Sequence, residues 1–154
     1  MICLMRGYIN SETMKVNWII DKLFSEIPLF KRELEINENL GFISQLLKAA
    51  ELYDNPYVIF QDFAVFMKDK IKEQRSILSD DGILKDCFTY IGKMIMSTEV
   101  NSDPELFDII YVGVLELLTD EPQINEIAEK YLEGEALYRF KEYIRKINNM
   151  EPFY

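Results

Sequence analysis

The chain has 154 residues, of which 49% are apolar, so its length and composition suit one globular domain and exclude a disordered chain. Acidic residues outnumber basic ones by 27 to 17, and the formal net charge of −10 disfavours direct binding to nucleic acid or to an anionic membrane. The sequence has no histidine and only two cysteines, Cys3 and Cys87, which excludes histidine-dependent catalysis, histidine-ligated zinc and a disulfide framework.

In the N-terminal half of the chain, apolar residues recur at helical spacing after Ser11. The first helix is predicted to start near Ser11, a favourable N-cap residue, and to end or kink at Pro28. A short helix over residues 29–36 follows, and after a turn another helix covers residues 42–52.

The next predicted helix begins at Pro56, with Asn55 as its cap. Its first residues, 57–60, also suit a strand because they are aromatic or β-branched, but the continued spacing of three and four favours a helix. Asp62 interrupts this apolar segment, and we expect its side chain to point outward more readily than into the core.

Two further helices are predicted from favourable N-terminal residues. Ser79 caps a helix on which Cys87 falls on the apolar face, so a buried thiol is expected there. A second helix opens at Ser102-Asp103-Pro104 and is apolar nearly all round as far as Leu118, which indicates a central helix covered by its neighbours.

The last two helices are predicted to start at Glu121-Pro122 and at Glu135. Gly134 is the expected stop of the first, and the second extends to Ile147.

The sequence therefore predicts an all-α fold of seven or eight helices in antiparallel pairs, either stacked like HEAT or armadillo repeats or packed as an irregular bundle. We expect one helical domain over residues 11–148, a flexible N-terminal arm over 1–10 and a C-terminal tail over 149–154. An alternative for the arm is that Met5 or Met14 is the natural start.

The acidic residues are concentrated in one part of the chain. Residues 99–135 contain 11 acids and a single base, Lys130, so this segment alone carries a net charge of −10. We predict a docking surface for a basic partner there; the alternative is an ordinary solvated face. The candidate partner-binding residues are Glu116, Asp120, Glu121, Glu126, Glu129 and Glu133, the last three of which are predicted to line one helix face.

No motif for a phosphate-binding loop, a catalytic nucleophile or a calcium-binding loop is found in the sequence. We therefore predict no enzyme activity, no catalytic residue, no metal and no cofactor. No segment approaches the ~20 apolar residues that cross a bilayer, so a cytoplasmic location is expected.

Three segments, residues 23–34, 57–66 and 111–118, resemble landmarks of a family of small, uncharacterised bacterial helical domains. The resemblance covers roughly residues 14–148, and these domains are similar in build to immunity proteins of polymorphic toxin and contact-dependent growth inhibition systems. It implies a protein that protects its own cell by binding a cognate toxin, in many cases a basic nuclease. The acidic segment would then imitate the phosphate backbone or cover the toxin's active site. The alternative is a helical interaction module with another cationic partner.

Overall fold

A computed structural model of the chain describes residues 11–36, 56–75 and 81–150, which form helices and short connections with no strand. The predicted all-α fold is confirmed. The chain divides into two compact units, Met1–Pro56 and Tyr57–Tyr154, which are taken separately below. The predicted arm over 1–10, the helix over 42–52, the caps Asn55 and Ser79, and the end of the tail lie outside the described residues.

The first unit contains helices α1 (Ser11–Glu26) and α2 (Pro28–Ile36). Pro28 separates them because its ring displaces the chain from the preceding helix and its nitrogen has no hydrogen to donate. The amide of Ile27 still donates to the carbonyl of Leu23 over 2.9 Å, so the helical hydrogen-bond pattern of α1 continues up to the residue before Pro28. The predicted break at Pro28 is confirmed, and the second helix begins one residue earlier than expected.

The next helices are α3 (Pro56–Arg75), α4 (Asp81–Met96) and α5 (Thr98–Ser102), which belong to the second unit from Tyr57 onward. Residues 57–60 are helical, as the spacing of their apolar side chains favoured. The predicted burial of Cys87 is confirmed, since its side chain is fully covered. Asp62 is half-buried, which lies between the two orientations considered for it.

A continuous helical stretch follows in three parts: α6 (Pro104–Phe107), a π-helical segment (Asp108–Leu115) and α7 (Glu116–Leu118). Asp103 caps its start, because its Oδ1 accepts from the amides of Glu105 (3.0 Å) and Leu106 (3.3 Å). This confirms the predicted opening at Pro104. The wider π-helical turns were not predicted, since the apolar pattern does not distinguish them from an α-helix.

The covering predicted for this stretch is confirmed for most of its apolar side chains. The buried ones are Leu106, Ile109, Ile110, Tyr111, Val114, Leu115 and Leu118. Val112 is exposed, at 43%, and Phe107 and Leu117 are half-buried.

The last helices are α8 (Ile124–Tyr131) and α9 (Gly134–Asn148). The helix predicted from Glu121-Pro122 begins later because Gln123 adopts a left-handed backbone with φ 63°. It ends at Tyr131, because the next residue, Leu132, has an extended backbone (φ −112°, ψ 150°). Gly134 is therefore the first residue of α9, at φ 60°, and the prediction that it stops the preceding helix is wrong.

Helices α4 and α9 pack against each other, and residues further along α4 contact residues earlier in α9. The rings of Phe88 and Phe140 lie 6.0 Å apart, and Gly92 faces Ala136 and Leu132. A Cβ atom on Gly92 would lie 2.9 Å from Cδ2 of Leu132, so the glycine allows the close approach. These two helices form an antiparallel pair. The wider arrangement as a repeat stack stays a prediction.

No helix in the described ranges is both long and apolar enough to cross a membrane.

Candidate docking surface

The acidic residues at the end of the π-helical stretch differ in their exposure. Glu116 is half-buried, and its Oε1 accepts a hydrogen bond of 3.3 Å from the hydroxyl of Tyr143. Asp120 is exposed, with Oδ1 2.6 Å from Nζ of Lys68 on α3. Glu121 is only 7% exposed in the turn between α7 and α8, so its carboxylate is not presented to a partner, in contrast to the prediction.

The other three predicted residues do not share one helix face. Glu126 and Glu129 are exposed on α8, and Glu129 forms an ion pair with Lys141 of α9. Glu133 is exposed but lies beyond the end of α8, at the N-cap position of α9. The predicted three-residue face is wrong because the chain leaves the helix at Leu132, whose buried side chain packs against the backbone of Gly92.

A groove that was not predicted lies between the start of the π-helical stretch and α9. We call it the aromatic groove, after the four aromatic side chains that line it: Phe107, Tyr111, Tyr138 and Tyr143. It is open to solvent and has a volume of about 380 Å³.

The aromatic rings of the groove are arranged by their helices. Phe107 and Tyr111, one turn apart, stack with ring centroids 4.1 Å apart. Tyr143 meets Tyr111 edge-on, with centroids 4.8 Å apart and planes at 63°. Tyr138 is 61% exposed, so most of its side chain is open to solvent. The groove thus has a fixed aromatic floor and one solvated ring.

Two acids and two bases complete the lining of the groove: Glu135, Arg139, Glu142 and Lys146. Nε of Arg139 donates to Oε1 of Glu135 over 3.1 Å, and its Nη1 donates to the carbonyl of Ile95 over 3.2 Å. Hydrogen bonds from Arg145 hold the pKa of Glu142 below its ordinary value. Of the two bases in the lining, Arg139 is therefore already paired with an acid.

Carboxylates outside the groove make its Tyr143 end electronegative. Burial raises the pKa of the Tyr143 hydroxyl, and the carboxylates of Glu116 and Asp108 raise it further. Burial likewise raises the pKa of Tyr57 at the start of α3, with Asp108 and Glu105 adding to the effect. Asp108 and Glu105 are both exposed, so their negative charge faces solvent beside these tyrosines.

Among the described residues, no group of three or more histidine, cysteine, aspartate or glutamate side chains is arranged to hold a metal ion.

The fold and the site define an all-α protein with exposed carboxylates beside an aromatic groove. The chain belongs to the family described as Domain of unknown function (DUF7674), whose model matches residues 20–149. The predicted resemblance to an uncharacterised domain family is thereby confirmed. No curated protein and no solved structure matches the chain.

Proposed function

We propose that this protein is an immunity protein, which binds a cognate basic toxin and neutralises it. The contact is made through its acidic surface, by which we mean the exposed carboxylates of residues 99–135. The observation that carries the proposal is the charge of residues 99–135, with 11 acids against one base. In the part of the chain that the structure describes, no ion pair joins Glu105, Asp108 or Glu126 to a basic side chain, and all three are exposed.

Unpaired surface carboxylates contribute little to folding, and their mutual repulsion opposes the compact state. A basic partner changes this balance, because complementary charge accelerates its encounter with the acidic surface and orients it. A nuclease is such a partner, since the site that holds a phosphate backbone is positively charged. Exposed carboxylates occupy that site as phosphates do and block access to nucleic acid.

A second function fits the same charge, namely a helical interaction module whose cationic partner is not toxic. The two functions differ in what the partner does when it is produced alone. The experiment therefore measures two things: whether the partner is toxic when it is expressed alone, and whether its binding depends on the carboxylates of this protein.

The partner is first isolated from the protein's own cell by crosslinking and is then expressed with and without this protein. A charge variant carries Glu105→Gln, Asp108→Asn and Glu126→Gln, and a matched control carries Glu35→Gln, Asp69→Asn and Asp86→Asn. All six positions are exposed, and both triple variants lose the same charge.

We expect the partner to stop growth when expressed alone, and the wild-type protein and the control to restore growth. The charge variant is expected to bind at least about tenfold more weakly. A harmless partner would show the interaction-module function instead. Equal protection and equal affinity for both variants would contradict the acidic surface.

A further inference from the structure

We propose that the aromatic groove receives an arginine side chain of the basic partner. The inference rests on the proposed function and deepens it, because it assigns the anchor residue's chemistry and its place. The acidic surface would attract the partner, and the groove would hold it in register.

The aromatic lining favours a planar cation. A guanidinium group stacks on an aromatic face, where the ring's negative quadrupole attracts it, and Tyr138 offers such a face largely to solvent. Tyr111 and Tyr143 also line the groove and contact each other, with ring centroids 4.8 Å apart. Tyrosine and arginine are also the residue types that most often carry the binding energy of protein interfaces.

Hydrogen-bond acceptors stand at the edge of the groove. Oε1 and Oε2 of Glu142 each accept one bond from Arg145, over 3.3 Å and 2.9 Å. A carboxylate has about four acceptor positions, so Glu142 retains capacity for a second guanidinium. Glu135 is in the same situation, with one bond from Arg139 through its Oε1.

The bases of the groove do not make it an anion site. Arg139 already donates to Glu135 and to the carbonyl of Ile95, and Lys146 lies within electrostatic reach of Glu142. Asp108 and Glu116 add two further carboxylates beside Tyr143. The acids and bases of the lining cancel in formal charge, and these two carboxylates outnumber the neighbouring Arg145. The local charge therefore favours an incoming cation over an anion.

The size of the groove fits a side chain. At about 380 Å³ it lies near the lower end of ligand pockets, and it is open to solvent. Because the groove is open, an arginine side chain can enter it while its backbone stays on the surface of the docked partner.

The test uses the isotopically labelled full chain and three peptide probes: hexa-arginine, hexalysine and hexaglutamate. We expect hexa-arginine to shift the ring resonances of Tyr138 and Tyr143 and to bind more tightly than hexalysine. Binding of hexaglutamate in the groove would overturn the inference, as would hexa-arginine shifts confined to α8.

Substitutions of Tyr138 separate the contribution of its aromatic ring to binding from that of the overall negative charge. Tyr138→Ala is expected to weaken hexa-arginine binding about five- to tenfold, whereas Tyr138→Phe, which keeps the ring, changes it less than about twofold. Val65→Ala removes an exposed apolar side chain on α3 and serves as the control. Equal affinity of Tyr138→Ala and wild type would overturn the inference.

The proposed function fails in a different experiment. If the charge variant loses growth protection and Tyr138→Ala retains both protection and affinity for the partner, only the groove assignment is wrong. If the partner is harmless, the immunity function is wrong, whatever the groove binds.

Discussion

The hydroxyl of Tyr143 on α9 donates a hydrogen bond of 3.3 Å to Oε1 of Glu116 on α7. The bond links the aromatic groove to the acidic segment, because the same tyrosine ring contacts Tyr111 inside the groove. A residue predicted from charge clustering, Glu116, is thus joined directly to the groove, which was not predicted. The bond also restrains the Tyr143 ring, which lines the groove.

Replacing Tyr143 by phenylalanine removes this bond and keeps the ring. We expect a loss of about 1 kcal/mol in the free energy of unfolding at neutral pH, measured by urea denaturation, because Glu116 then loses a half-buried donor. Glu116→Gln, which keeps an acceptor oxygen, serves as the control and is expected to lose less. Equal stability of Tyr143→Phe and wild type would show that the bond is not formed in solution.

The same pair predicts a dependence on alkaline pH. The folded-state pKa of Tyr143 lies above its ordinary value of 10.0, because burial and nearby carboxylates disfavour the phenolate. The unfolded chain therefore ionises first, and the stability contributed by neutral Tyr143 falls as pH rises above 10.0. Unfolding curves should show a steeper alkaline loss for wild type than for Tyr143→Phe. Parallel losses would contradict the raised pKa.

Gly92 and Gly113 make a matched pair of helical glycines. A Cβ at Gly92 meets Cδ2 of buried Leu132 at 2.9 Å, whereas at Gly113 the nearest atoms lie at 3.8 Å. Alanine in a helix gains roughly 0.5–1 kcal/mol over glycine, but overpacking costs about 1–3 kcal/mol. We expect Gly92→Ala to be less stable than Gly113→Ala by at least about 1 kcal/mol in thermal or urea unfolding. Equal stabilities would mean that Leu132 moves aside freely.

Asp62 on α3 is half-buried, and burial raises the pKa of its carboxyl above the ordinary value of 3.8. The carboxyl therefore binds its proton more tightly in the folded chain than in the unfolded chain, and stability is lost as pH rises through the folded pKa. Asp62→Asn is expected to be more stable than wild type at neutral pH, with a difference that vanishes in acid. Asp69→Asn, at an exposed position of the same helix, is the control and should change little. A destabilised Asp62→Asn would reveal a stabilising role for the charge.

Cys87 is fully covered on α4, and burial raises the pKa of its thiol to about 12. In a Cys3→Ser background, we expect a thiol-specific reagent to modify the native protein only at the rate of its opening, and the unfolded protein immediately. Rapid modification of the native protein near neutral pH would show that Cys87 is accessible.

Features determined by neighbouring residues could be predicted from the sequence. Pro28 ends α1, Pro56 begins α3, and Asp103 caps the helix at Pro104, because proline geometry and a capping carboxylate act within a few residues. The π-helical turns over Asp108–Leu115 and the left-handed Gln123 were not predictable, since tertiary packing selects them.

The site was predictable only in part for the same reason. Clustering of acids along the chain identified Glu116, but it could not reveal that Glu121 is buried. The aromatic groove joins Tyr111 to Tyr143 across 32 residues, and a single sequence gives no such pairing. The spacing of Tyr138, Glu142 and Lys146 along α9 was the available signal, because it places an aromatic ring on a charged helix face.

The association rate of the isolated basic partner with this protein, measured by stopped flow as a function of ionic strength, tests the role of the acidic surface most directly. We expect the wild-type rate to fall at least about tenfold between about 0.02 and about 0.2 M salt, and the charge variant to associate slowly with a weaker salt dependence. The exposed-acid control should follow wild type. Rates that do not change with salt, or that are equal in wild type and the charge variant, would contradict binding through the acidic surface.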